Sequence, residues 1–187
     1  MHEMDEFIAQ QRTIYPLSDE AVECLLEDME LLCFPKHTVI SQEGKREPFV
    51  WFMKKGVARA YVERDGKDVT LWFASDGEMI NFSYRRVAAY QIELVEDGAL
   101  LRLPAEKWEE LMEKSLELCN WGRKLLDYYV REYENYFIND SWSDARAQYE
   151  ALMRSRPELF HKVPLKHIAS YLQITPQSLS RIRSKLR

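Results

Sequence analysis

The chain has 187 residues, enough for one large domain or two small ones, and 46% of them are hydrophobic, with five Trp, ten Tyr and eight Phe available for a core. This composition excludes a disordered or repetitive chain, and no apolar run approaches the roughly 18 residues that a membrane span needs. The net charge of −5 is unevenly divided: residues 141–187 carry nine Lys or Arg against three acids, residues 1–140 carry 17 against 28, and no acid follows Glu158. An acidic body with a basic end points to a nucleic-acid-binding segment attached to something else.

Met1 to Gln10 is acidic and mixed, without the basic start and apolar core of a signal peptide, so a cytoplasmic location is expected. Cys24, Cys33 and Cys119 form an odd, widely spaced set, which predicts reduced, buried thiols instead of a disulfide framework.

Residues 18–32 read as a helix. Ser18 is a cap, Asp19 and Glu20 suit the positive end of the helix dipole, and Val22, Leu25, Leu26 and Met29 mark an apolar face that Pro35 ends. From Lys36 to Pro104 short β-rich runs alternate with turn signals: Thr38–Ile40, Phe49–Met53, Val57–Val62, Val69–Phe73, Ala89–Val95 and Ala99–Leu103. Asp65-Gly66 is a strong hairpin signal, because both residues tolerate positive φ. Many short strands at regular turn spacing predict an antiparallel roll or sandwich.

Residues 105–139 predict a short helix and then a long one. Leu118, Trp121, Leu125 and Tyr128 mark one face, and Leu126, Tyr129, Tyr133 and Tyr136 a neighbouring one. Two apolar faces imply two packing partners, the β-rich domain and a second copy of the same helix, the alternative being one broad face buried within a single chain. After a break at Asn139-Asp140-Ser141, Asp144 to Ser155 forms a further helix.

The segment from Val163 to Arg187 divides into two helices and a turn. Pro164 suits a first turn, and Ile168, Ala169 and Leu172 form an inward stripe. Gln173-Ile174-Thr175 has the turn length of a helix-turn-helix, with Thr175 as cap and Pro176 opening the second helix. On that helix Leu179, Ile182 and Leu186 point inward, leaving Gln177, Ser178, Arg181 and Lys185 on the other side. Gln pairs with adenine, Arg with guanine, and Ser or Lys reaches phosphate or base edges, so Thr175, Gln177, Ser178, Arg181 and Lys185 are the candidate DNA-binding residues.

A β-rich domain, a long helix and a C-terminal helix-turn-helix together resemble the Crp/Fnr family of bacterial transcription regulators, most specifically at IASYLQITPQSLSRIR. The resemblance implies an α+β chain in three parts. These are an N-terminal cyclic-nucleotide-binding-like β-roll of jelly-roll type over 1–104, a linker and dimerisation helix over 105–140, and a DNA-binding domain over 141–187. It also implies a parallel homodimer on an inverted-repeat operator in double-stranded promoter DNA, with RNA polymerase as a further partner. Two departures stand out: Gln173 sits where the family often has Gly, and little chain follows the recognition helix, so a wing is short or absent.

Members that bind cyclic AMP carry a Gly-Glu pair and, about ten residues on, an Arg that meets the phosphate. Gly77-Glu78 matches the pair, but Ala88 stands at the arginine position. Arginine offsets the desolvation of a buried phosphate and alanine does not. Arg85 and Arg86 lie close by as substitutes, so Gly77, Glu78, Arg85 and Arg86 are the candidate ligand residues of a degenerate pocket, and an effector other than cyclic AMP or no ligand at all both stay open. Trp51, Trp72, Phe73 and Phe82 read as core. No cofactor or metal is expected, since three cysteines fall short of the family's iron–sulfur set and His2, His37, His161 and His167 have no paired ligand spacing. His161 and His167 are expected near the DNA backbone or on a solvated face.

An enzyme is not expected. A cupin-type metal site needs several histidines on adjacent strands and residues 36–104 hold one, while no phosphate loop or nucleophile motif is visible. The remaining alternative is a small-molecule-binding or interaction protein that does not regulate transcription directly.

Overall fold

The computed structural model describes residues 2–81, 84, 86–140 and 144–185. Among these residues two helices, α1 (His2–Ile14) and α2 (Asp19–Glu27), precede seven strands: β1 (Glu30–Phe34), β2 (Val39–Ser41), β3 (Phe49–Lys55), β4 (Ala58–Arg64), β5 (Lys67–Ala74), β6 (Gln91–Leu94) and β7 (Gly98–Pro104). The strands form two antiparallel sheets, ordered β1-β7-β3 and β2-β6-β4-β5. Six of the seven strands fall on the runs expected from turn spacing. Asp65 and Gly66, at φ 53° and 71°, close the β4–β5 hairpin as their types require.

The exception is β1. Residues 30–32 are not the end of a helix; α2 ends at Glu27 with Asp28 as its C-cap, and Glu30–Phe34 pairs with β7 in the register Glu30↔Arg102 to Phe34↔Gly98. The helical stripe of Leu25, Leu26 and Met29 runs straight into apolar residues of the strand, so local periodicity carries no boundary. The ladder to β7, with an Arg102–Glu30 ion pair of 2.6 Å, overrides the helix preference of Glu and Leu.

Between the sheets lie Trp51, Met53, Ala58, Ala60, Ile92, Leu94 and Leu100. A second cluster packs α1, α2 and the long helix against β3 and β7, with the Phe52 ring stacked on Trp121 at 6.1 Å. Helix α1 had no signal in the acidic composition of the N-terminus, yet Phe7, Ile8 and Gln11 are buried along one face.

After β7 come α3 (Ala105–Lys114), α4 (Leu116–Asn135) and one π-helical turn (Tyr136–Asp140). Leu118, Trp121 and Leu125 of α4 are buried, as expected. The second face differs in membership: Tyr129 and Tyr136 turn toward the body, while Leu116, Leu126, Val130 and Tyr133 are 79%, 50%, 55% and 45% exposed. Tyr128 also leaves the buried face, at 42% exposure.

The chain continues through α5 (Ala145–Ser155), capped by Asp144, a short α6 (Leu159–Lys162), α7 (Leu165–Tyr171) and α8 (Pro176–Lys185). Their core joins Tyr149, Leu152, Leu159, Ile168, Ala169, Leu172 and Leu179 to Val57, Phe73 and Val95 of the β-roll. All three cysteines are exposed free thiols, not buried ones, because each lies on the outer side of its element. No described helix is long and apolar enough to cross a membrane.

Candidate nucleic-acid interface and the junction behind it

The helix-turn-helix is built as its residues require. Ile168 and Ala169 of α7 are fully buried beneath Leu179 of α8, and Ile182 packs at the edge of the same core. Gln173 opens the turn at φ 55°, a left-handed conformation that an L side chain adopts at some steric cost. Thr175 caps α8, its hydroxyl accepting from the Ser178 N–H at 3.1 Å. Ser178 is half-buried and its hydroxyl lies 3.0 Å from that of Thr175, while Thr175, Gln177, Arg181 and Lys185 are the exposed members of the expected DNA-binding set. Leu186 lies outside the described residues.

His161 is exposed, but His167 is not at a solvated face: it is buried against the β-roll, where Arg59 and Asp68 lie beside it. Burial, with the positive charges of Arg59 and Lys166, pushes its imidazole down to about 4, so it is neutral in the fold at physiological pH. Arg59, itself buried, is held by Asp68 through two bonds of 2.5 and 2.6 Å and by Glu93 at 2.6 Å. Beside this cluster the Ser170 hydroxyl donates to the Asp68 carbonyl at 2.8 Å and accepts from the Thr70 N–H at 2.9 Å. Helix α7 thus occupies hydrogen-bonding groups on the outer edge of β5, a strand that is otherwise the open edge of its sheet.

The Gly77-Glu78 turn is equally occupied. Gly77 has φ 81°, and a Cβ there would lie 1.8 Å from the Gln10 side-chain oxygen, so α1 is pressed onto the turn. The Gln11 amide donates to the Gly77 carbonyl at 2.8 Å. Glu78 is bonded by Arg156, which follows α5, at 2.8 Å, and by the Ser75 N–H at 2.6 Å. Arg156 also donates to the Phe73 carbonyl at 2.9 Å and the Ser75 hydroxyl at 2.8 Å. Burial pushes the Glu78 carboxyl up and Arg156 pulls it back, the net direction being up. Arg86 is exposed, Ala88 is buried with its N–H bonded to the Lys45 carbonyl at 2.8 Å, and Arg85 and Phe82 lie outside the described residues. The partner of Glu78 is therefore an arginine from the C-terminal part of the chain, which sequence spacing near the turn gave no means of finding.

Trp51 and Phe73 are core as expected, whereas Trp72 is half-buried; Trp72 and one side of Phe73 line a cleft of about 680 Å³ between β5, α4 and the C-terminal helices.

Residues 31–115 match the family profile of the cyclic nucleotide-binding domain. Among solved structures, FixK2 from Bradyrhizobium japonicum superposes with a TM-score of 0.73 at 16% identity, over 84% of each chain. A transcriptional regulator of the Crp/Fnr family from Eubacterium rectale gives 0.67 at 18% identity over 91% of this chain and 85% of that one. This is the Crp/Fnr fold. The catabolite activator protein of Thermus thermophilus shares it over 92% of this chain and 85% of its own, with a TM-score of 0.57 and 18% identity. No protein of curated function matches the sequence. The antiparallel roll, the long helix and the terminal helix-turn-helix stand in the order expected from the residues.

Proposed function

We propose that this protein is a Crp/Fnr regulator that binds double-stranded promoter DNA as a homodimer in the cytoplasm. The observation that carries the reading is α8: its apolar side closes the core through Leu179 while Gln177, Arg181 and Lys185 project into solvent from a segment with no acid beyond Glu158. An α-helix that presents Gln and Arg fits the major groove, and the basic surroundings supply phosphate attraction. The reading divides the chain at the boundaries expected from sequence, with 1–104 as sensor-like roll, 105–140 as dimer helix and 141–187 as DNA-binding part.

The exposed row on α4 supports the dimer. Leu116, Cys119, Arg123, Leu126, Val130 and Tyr133 recur at alternating steps of three and four, the heptad spacing of a two-stranded coiled coil. A parallel pairing along this row carries the two recognition helices to one side, and an inverted repeat with half-sites about 34 Å apart is the matching operator. The roll is not assigned to cyclic AMP, since Ala88 is buried where the phosphate arginine is required and Glu78 already holds Arg156.

Arg181 tests the reading face. On an operator obtained by selection, Arg181→Ala is expected to weaken binding by roughly 1–3 kcal/mol and to relax preference at one base position in each half-site. Equal discrimination by the variant and the parent would remove Arg181 from the base-reading set.

A further inference from the structure

We propose that the cleft between β5, α4 and the C-terminal helices is a binding site for a hydrophobic aromatic cation. The cavity, of about 680 Å³, lies within the range of small-molecule sites. Its walls are rings: Trp72 from β5, Tyr128 and Tyr133 from α4, Tyr136 from the π-helical turn and Tyr171 from α7. Ring faces carry negative electrostatic potential and attract a desolvated cation, while they give an aromatic ligand van der Waals contact on several sides.

The charges select the sign of the ligand. Among the described lining residues Arg156 is the one cation, and it is already held by Glu78 at 2.8 Å and Glu158 at 3.5 Å. Glu132 lies on the lining and forms no ion pair among the described residues. A second cleft of about 420 Å³ flanks the same Glu78–Arg156 pair, shares Tyr128 and Glu132, and adds Asp76 and Glu158. Two carboxylates, Glu78 and Glu158, therefore hold the single guanidinium, and Glu132 adds a further negative charge on the lining. An anion, a cyclic nucleotide included, is repelled by the Glu132 carboxylate, and a neutral aromatic gains no attraction from it. A cation with an aromatic body satisfies both the rings and the carboxylate.

The cleft has walls from both ends of the chain: Trp72 and Glu78 from the β-roll, Arg156 and Tyr171 from the helices behind it. A cation drawn to Glu78 competes with Arg156, so occupancy bears on how the C-terminal helices sit against the roll. That consequence for DNA rests on the proposed function; the binding itself does not.

The test uses the full chain and two probes of one shape and opposite charge, tetraphenylphosphonium and tetraphenylborate. Free phosphonium is read with an ion-selective electrode and free borate by equilibrium dialysis, without DNA. Expected are saturable phosphonium binding at one per chain, a loss of at least about fivefold in affinity in Glu132→Gln, and no saturable borate binding. Glu132 is exposed on the helix surface, so this variant keeps the fold. No saturable phosphonium binding up to millimolar concentration, borate binding of equal strength, or unchanged affinity in Glu132→Gln would each overturn the proposal. Failure of the DNA-binding reading leaves all of these readouts unchanged.

Discussion

Replacing Arg156 by alanine severs the polar junction between the C-terminal helices and the β-roll. The guanidinium donates to the Phe73 carbonyl, the Ser75 hydroxyl and the Glu78 carboxylate, at 2.8 to 2.9 Å, and its side chain and that of Glu78 are 25% and 26% exposed. Removing one partner of a fully buried ion pair costs ~3–5 kcal/mol, because the remaining charge keeps its desolvation penalty. A quarter of each side chain is wet here, and Glu78 retains the Ser75 N–H, so the expected loss at pH 7 is about 2–3 kcal/mol. The sign of its pH dependence follows from Glu78, whose carboxyl already titrates above its ordinary range in the fold. An acid raised in the fold is less costly when protonated, so stability falls as pH rises from the unfolded value, ~4.3, through the folded one. Without Arg156 that fall steepens. The variant's deficit should therefore shrink to about 1 kcal/mol near pH 4, where Glu78 holds its proton and only the guanidinium's bonds to the neutral Phe73 and Ser75 acceptors are missing. Urea denaturation of parent, Arg156→Ala, Glu78→Gln and the double variant measures both the deficit and the coupling. Additive effects of the two substitutions, or a deficit that does not change between pH 7 and pH 4, would show that the Glu78–Arg156 pair does not hold the junction.

His167 supplies a second pH effect of opposite slope. Its imidazole is held near 4 in the fold against ~6.5 in the unfolded chain, so the unfolded state takes up a proton first and stability is lost as pH falls from about 6.5 toward 4, by at most about 3 kcal/mol. Calorimetry of His167→Gln should show that part of the acid loss removed, whereas a parallel loss in parent and variant would exclude His167 as its source. On the exposed row of α4, Val130→Glu places two like charges on the seam of a parallel pair. Sedimentation is expected to show a dimer in the parent and a monomer in this variant at micromolar concentration, with the far-UV spectrum unchanged; a monomeric parent would dispose of the α4 interface.

What was legible in the sequence follows the range over which each signal acts. The β4–β5 hairpin is set by two adjacent residues that accept positive φ, and the helix-turn-helix by a cap at Thr175, Pro176 after it and apolar spacings within one turn or two. Such elements carry their own instructions. Strand β1 does not: Glu30–Phe34 has residues that suit a helix and becomes a strand through its ladder with β7, some 70 residues on. The candidate ligand residues show the same limit. Gly77-Glu78 was recognisable as a motif, but its occupants, Gln10, Gln11 and Arg156, come from opposite ends of the chain. The burial of His167 has the same origin, since the residues beside it, Arg59 and Asp68, are on strands of the roll. The α4 faces were visible as two, and which tyrosine belongs to which was decided by the body against which the helix lies.

Sequence-specific DNA binding is tested by selection from a pool of random-sequence duplexes with the full chain at physiological salt. One inverted repeat with half-sites about one helical turn apart should be enriched, and bound more weakly as salt rises because basic side chains release counterions from phosphate. A pool that stays unenriched after repeated rounds, with no salt-sensitive retention of DNA, would rule out a promoter-binding role.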